Sequence, residues 1–197
     1  MSYMKPSGNT KPHIIIMVGI PGSGKSYFAE KFGETFKSPV INFSRIHRTL
    51  FVDPKFNESE DAVVKKAADY MLGEMLKTGR TIIFKGPTGK KSDRIELAKK
   101  ARSSGYDPIF VWVQTDSVTA RKRATKSIDG RPPMTDAKFD NYLKQFSAPH
   151  ASERAVVISG KHTYNAQLKI VLKSIIKPPE KPAFINNFAP KNQKLIQ

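Results

Sequence analysis

The sequence predicts a three-layer α/β fold, in which a five-stranded parallel sheet carries helices on both faces. Three observations predict it. Five short apolar runs recur along the chain, and the first, His13–Val18 (HIIIMV), lacks the polar alternation of a half-exposed strand. Segments of helical period separate the runs. Alternating strands and helices of this kind build parallel sheets through helical crossovers. A length of 197 residues suits one domain and can bury a core without a disulfide or structural metal.

The elements follow in order. Residues 1–12 are polar, hold Pro6, Gly8 and Pro12, and read as a flexible arm. Glycines follow the first strand, and a helical pattern runs from Lys25 to about Phe36. Pro39–Asn42 is a second short strand, and a helix is expected over Ser44–Phe51 until Asp53-Pro54 breaks it. Ser59–Lys77 has apolar residues at Val63, Ala67, Tyr70, Met71 and Met75, with Gly79 as its stop. Thr81–Phe84 is the third strand, closed by Gly86-Pro87. Ser92–Ser104 is a basic helix ended by Gly105, and Pro108–Val113 the fourth strand. Ser117–Lys126 is helical with a dense basic face, Asp129–Pro133 a loop, and Thr135–Phe146 a helix. Ala155–Ile158 is the fifth strand and Tyr164–Ile176 the last helix. Residues 177–197 hold four prolines and read as an extended tail. No internal repeat is visible.

Composition narrows the function. The absence of cysteine excludes a disulfide framework, a thiolate metal site and a thiol nucleophile. The four histidines show no ligand spacing. The longest apolar run is far short of the ~20 residues of a membrane span, and the N-terminus shows no targeting pattern. These features lead to the expectation of a cytoplasmic protein with no membrane partner. The formal charge is +17. An excess of that size suits a polyanionic partner, nucleic acid above all, with DNA favoured over RNA; a solvated basic surface is the alternative. Nothing in the sequence bears on oligomeric state.

The strongest motif is Gly19-Ile20-Pro21-Gly22-Ser23-Gly24-Lys25-Ser26, a full GxxxxGK[ST] pattern between the first strand and the first helix. Glycines let backbone N–H groups turn inward around phosphates, and the helix presents its positive end to the same anion. Lys25 is the expected contact to the β- and γ-phosphates, and the Ser26 hydroxyl a ligand of Mg²⁺. With Tyr27 these residues form the expected ATP site. No NKxD-type base-specificity motif is visible, and the chain is too short for a large motor ATPase. A small kinase of P-loop NTPase type is the reading.

The chain resembles the small P-loop kinases typified by phage polynucleotide 5′-kinase, a group that includes zeta-toxin-like kinases. Besides the phosphate loop, the carriers are INFSRIHRTLF, LKTGRTIIF, DRIELAKKARSSGY, IFVWVQTD, TARKRATK and APHASERAVVISG, spread over Lys11–Ile176. The resemblance implies a kinase domain over 13–176 that transfers the ATP γ-phosphoryl to a hydroxyl. It also implies that the loop at Gly160 lies near the adenine. In the group an Asp after the second strand takes the hydroxyl proton, and an Arg three positions on holds an acceptor phosphate. Placing Asn42 on the group's Asn puts Ser44 at the Asp and His47 at the Arg. Shifting the register puts Arg48 on the Arg and Arg45 on the Asp. Neither register supplies a carboxylate. The acidic residue often found after the third strand is replaced by Lys85-Gly86-Pro87-Thr88. Of the Arg–xxx–Arg pair expected on the lid helix, Arg123 fits the first, and Ser127 stands at the second. Arg121, Lys126 and Arg131 are nearby substitutes.

A general base contributes ~10²–10⁴-fold, so its loss lowers activity without abolishing a reaction that depends on positioning and charge. Asp53, Glu60 and Asp61 are candidate replacements. His47 is a candidate base because its unperturbed pKa lies near neutrality; packing or surface contact is its alternative. Ser44 can only orient the acceptor. Arg45, Arg48, Lys85 and Thr88, with Ser44, form the expected acceptor side. Arg121 and Arg123, two apart on a helix, should face different ways. Trp112 reads as core. Phe184 and Phe188 lie among tail lysines, where they could stack bases or pack on the domain. The first expectation is a kinase acting on a nucleic-acid hydroxyl, either a polynucleotide 5′-OH or a hydroxymethylated base such as hydroxymethyluracil in phage DNA. Host cytoplasm would be its setting if phage-encoded. The alternatives are a degenerate domain that only binds ATP and nucleic acid, and a kinase of small molecules or nucleotide sugars.

Overall fold

The structure is a computed structural model and describes residues 11–126 and 133–176. The N-terminal arm, Ser127, most of the Asp129–Pro133 loop including Arg131, and the tail with Phe184 and Phe188 lie outside the described residues.

Five parallel strands, β1 (His13–Val18), β2 (Val40–Asn42), β3 (Ile82–Lys85), β4 (Asp107–Gln114) and β5 (Val156–Ser159), form one sheet in the order β2-β3-β1-β4-β5. The register pairs Ile14 with Ile82 and Pro108, and Val111 with Val156. β1 lies at the centre, and Ile14 through Val18 are fully buried, which is why this run has no polar alternation. Its side chains alternate between two cores. Ile14, Ile16 and Val18 join the core roofed by α2 (Phe43–Leu50), α3 (Glu58–Leu76) and α4 (Lys91–Ser103). Ile15 and Met17 join the core covered by α1 (Lys25–Phe36) and α7 (Tyr164–Ile176). A third, small cluster of Ala120, Ala124 and Phe139 joins α5 (Ser117–Ala124) to α6 (Asp136–Gln145), with Ile20 of the phosphate loop against it.

Helix starts follow local chemistry. The side-chain oxygens of Asn42, Asn57, Asp116 and Thr135 accept from the first turns of α2, α3, α5 and α6. Asn42 is thus a cap as well as the last residue of β2, and α2 begins at Phe43 rather than Ser44.

Two sequence expectations are corrected. The buried stripe of α3 is Val64, Ala68, Leu72 and Leu76, while Val63 and Tyr70 are exposed. The apolar residues of this helix spread over more than one face, so periodicity alone chose the wrong edge of the stripe. Trp112 is only partly buried. It lies next to edge strand β5, paired with the exposed Val157, where that face of the sheet is incompletely roofed.

Candidate active site

The phosphate loop occupies the carboxyl end of the central strand, where ligands bind in open α/β sheets. Gly22 and Gly24 adopt φ +77° and +109°, which other residues rarely do. At Gly22 there is also no room. A Cβ would overlap the carbonyl oxygen of Ala120, because α5 lies directly on the loop. Gly160 is equally tight, since a Cβ there would strike the Ser23 carbonyl. That carbonyl accepts a bond of 2.9 Å from Thr115 Oγ1. The loop is therefore clamped between the start of α5 and the β5–α7 turn.

Its chemistry fits a phosphate chain. Gly24 caps α1 without any side-chain bond, which leaves the first-turn N–H groups to an external acceptor. Ser23 Oγ is buried without a hydrogen-bond partner. Lys25 Nζ donates to the Gly19 and Ile20 carbonyls at 2.7 Å each, folding the cation over its own loop. Ser26 follows on the first turn, in position to offer one oxygen to a divalent ion. Tyr27 is exposed on α1.

Where the sequence leads one to expect the acceptor side, at the ends of β2 and β3, lies a hydrogen-bonded cluster. Lys85, the last residue of β3, donates from Nζ to Ser44 Oγ at 3.1 Å and to Asn42 Oδ1 at 3.0 Å. Asn42 Oδ1 also accepts from Arg45 N, and its Nδ2 donates to Glu30 Oε1 at 3.3 Å. The fold thus brings Ser44 and Lys85, 41 residues apart, into contact. It also brings Glu30, a carboxylate that sequence reasoning missed. The available signal was its spacing, because Glu30 is four residues beyond Ser26 and shares its helix face. Arg45 is exposed on α2 and Arg48 partly buried.

His47 and Thr88 do not join this cluster. The His47 ring is buried in the α2–α3 packing, against Phe51 and Phe56 at centroid distances of 5.2 and 4.2 Å. Its Nε2 lies 3.2 Å from Glu60 without the alignment of a hydrogen bond. A ring closed off from solvent is not placed to take a proton from an acceptor in a cleft, so the candidate base becomes a packing residue. Glu60 itself accepts from the backbone of Lys55 and Phe56, while Asp53 and Asp61 are largely exposed. Thr88 is buried, and its hydroxyl donates to the Met17 carbonyl at 2.6 Å. It pins the loop after β3 to β1 and has no hydroxyl left to offer an acceptor.

That loop has a second anchor. Arg94 on α4 is fully buried and pairs with Glu153 through Nε and Nη2 at 2.6 and 2.9 Å. Its Nη1 donates to the carbonyls of Thr88, Gly89 and Ser147. The Arg94 guanidinium holds the Glu153 carboxyl below its ordinary value, against the opposing effect of burial.

On α5 the two arginines diverge as their spacing requires. Arg121 Nη1 donates to Asp136 at 2.8 Å, Nη2 contacts Asp140, and the guanidinium lies 4.7 Å from the Phe139 ring centre. These carboxylates raise the Arg121 pKa, and Asp140 is lowered in turn. Arg123 Nη1 instead donates to the Gly160 carbonyl at 3.0 Å, joining α5 to the β5–α7 turn. Beside the loop, a cavity of about 600 Å³ is lined by Ile20, Trp112, Thr115, Phe146 and both members of the Asp116–Lys161 ion pair. Hydrogen bonds from Lys161 and from the Thr119 backbone hold the Asp116 carboxyl well below its usual range. Among the described residues, no cluster of three or more His, Cys, Asp or Glu could hold a metal, and no helix is long and apolar enough to cross a membrane.

Comparison with known proteins gives one family and a common fold. The AAA domain family matches residues 14–149. No curated protein matches the sequence. Among solved structures, a candidate kinase of Chloroflexus aurantiacus superposes with a TM-score of 0.65 at 12% identity, over 83% of this chain and 98% of that one. The APS kinase CysC of Mycobacterium tuberculosis, bound to AMPPNP and APS, gives 0.61 at 15% identity over 85% and 98%. A chain of the Pnkp1/Rnl/Hen1 RNA repair complex gives 0.57 at 20% identity, over 73% of this chain and 46% of its own length. What this chain shares with them is the three-layer α/β fold with a central parallel sheet.

Proposed function

The chain belongs to the AAA domain family, and from that premise we propose that it is an ATP-dependent phosphotransferase acting on an alcohol hydroxyl. The observation that carries this reading is the phosphate loop, with its uncapped helix end and the Lys25 ammonium folded over it. On nucleotide binding Lys25 exchanges two loop carbonyls for phosphate oxygens. The Ser26 hydroxyl would help to hold Mg²⁺, which when bound would supply positive charge against that developing on the transferred group. Arg123 and the α5–α6 pair stand over the loop, and Arg123 is the lid cation we assign to the phosphates.

For the acceptor, a small hydroxyl compound now ranks ahead of nucleic acid. Two of the similar structures span nearly their whole length in the match, and one is a kinase bound to a small acceptor. The RNA-repair chain matches over less than half of itself. The formal charge of +17 supports the nucleic-acid reading as the second.

Transfer of label from γ-labelled ATP tests this directly. The acceptors are a panel of sugars, nucleosides and nucleotide sugars, together with 5′-hydroxyl DNA and RNA and hydroxymethyluracil duplex. Label on a small compound that is lost in Lys25→Ala is the expected result. Label confined to polymer installs the second reading. No transfer to any acceptor, with ATP still bound, leaves a binding domain and overturns the enzymatic one.

A further inference from the structure

We propose that the groove between α4 and the segment ahead of β5 docks an acidic peptide segment of a partner protein, one with apolar side chains between two acidic positions. The groove shares no lining residue with the phosphate loop or with the cluster around Lys85. The proposal therefore stands whether or not the phosphotransferase reading does.

The groove has a volume of about 450 Å³. One wall is a stripe of α4. Lys91, Ile95, Ala98 and Arg102 follow one another at spacings of four, three and four, which sets them on one helix face. The other wall is the segment 152–154, and the start of β4 lies between them. Arg94 of α4 grips both carboxylate oxygens of Glu153, so the two walls are held together before any ligand arrives. A preformed groove spends little free energy on ordering itself when it binds.

Positive charge stands at the ends of the stripe. Lys91 opens α4 and Arg102 lies in its last turn. They are about 16 Å apart along the helix axis, too far to share one anion. Arg154 joins them from the opposite wall. Its φ of +49° suits glycine or asparagine better, yet the residue there is a cation. All three are exposed, and none makes a side-chain ion pair or hydrogen bond among the described residues. Of the carboxylates on the groove, Glu153 is paired with Arg94, and Asp107 stands exposed at the start of β4. Between the cations the lining is aliphatic, with Ile95 53% exposed beside Ala98.

An occupant acidic at both ends and apolar between them matches this arrangement. Its carboxylates would take charge-assisted hydrogen bonds from the cations, and its apolar side chains would cover Ile95. An extended chain advances about 3.3 Å per residue, so acidic positions five residues apart span Lys91 and Arg102. A nucleic-acid strand matches less well, because it gains from stacking bases on exposed aromatic rings. The aromatic side chain of this lining, Phe110, is only 5% exposed. Part of the formal charge of +17 thereby has a use that needs no polymeric acceptor.

The test titrates the full chain into a fluorescein-labelled peptide, Asp-Glu-Leu-Leu-Ala-Leu-Glu-Asp, and follows anisotropy. Saturable binding is expected, at least tenfold tighter than for the uncharged counterpart with Asn and Gln in place of Asp and Glu. It should also be tighter than binding of labelled octathymidylate. The double variant Lys91→Glu, Arg102→Glu should weaken the peptide at least tenfold, and Ile95→Asp at least fivefold. These side chains are exposed, so AMPPNP affinity should stay within about twofold in both variants. Ile95→Asp serves if the charge reversal does not fold. Peptide binding no tighter than that of the uncharged counterpart, or indifferent to both variants, overturns the proposal. Octathymidylate binding that exceeds peptide binding and is lost in the charge-reversed variant overturns it too, and makes the groove a nucleic-acid surface.

Discussion

At Gly22, backbone conformation and crowding coincide, and both exclude a side chain. Gly22→Ala must move α5 or the loop, so nucleotide affinity should fall at least tenfold; calorimetric titration of AMPPNP checks it. Glu30 makes the second residue-scale case. It is the carboxylate joined to Ser44 and Lys85 through Asn42, which makes it our candidate for the proton acceptor that Ser44 cannot be. Glu30→Gln should lower kcat by ~10²-fold or more with KM for ATP nearly unchanged. A kcat within threefold of wild type would remove Glu30 from the chemistry. The site was only half legible at this scale. Lys25 and Ser26 stand in a contiguous motif, whereas Ser44 near the start of α2, Lys85 at the end of β3 and Glu30 in the middle of α1 meet only because the fold sets these three elements side by side. His47 misled because its ordinary pKa suits a base, while its burial between Phe51 and Phe56 is invisible in the sequence.

Between elements, the Arg94–Glu153 pair joins α4 to the segment ahead of β5, with side chains 0% and 6% exposed. Removing one partner of such a buried pair costs about 3–5 kcal/mol. Arg94→Leu should therefore lower the urea midpoint markedly and loosen the loop carrying Lys85. The pair also sets a pH dependence. Glu153 is depressed in the folded state, against about 4.3 unfolded. Its contribution is present above the unfolded value and is lost as pH falls through the folded one. Urea melts below pH 4 should show this loss, and Glu153→Gln should flatten it. The lid pair behaves differently, because Arg121 holds α6 through partly exposed carboxylates. Arg121→Ala should speed amide exchange in α5 and α6 while the sheet stays protected, as hydrogen-exchange mass spectrometry would report.

For the whole molecule, net charge separates the two acceptor readings. A polymer acceptor releases counterions, so log affinity should fall with log salt by about 0.9 per phosphate neutralised. A small acceptor neutralises at most a few charges and should show a shallow slope. Measuring oligonucleotide affinity between 50 and 200 mM salt decides it: a steep slope with productive transfer favours nucleic acid, and a shallow one the small acceptor.

The sequence by itself determined the sheet, its parallel sense and the phosphate loop, because each depends on contiguous residues. An apolar run long enough for a buried strand, a helical period, and eight residues that cradle phosphate are local signals. Tertiary structure alone decided which face of α3 is buried, that His47 and Thr88 serve packing, and that Lys85 reaches Ser44. Each of these depends on which segments lie side by side. That was settled by burial of the two sheet faces and by anchors such as Arg94, whose partners are up to 59 residues away.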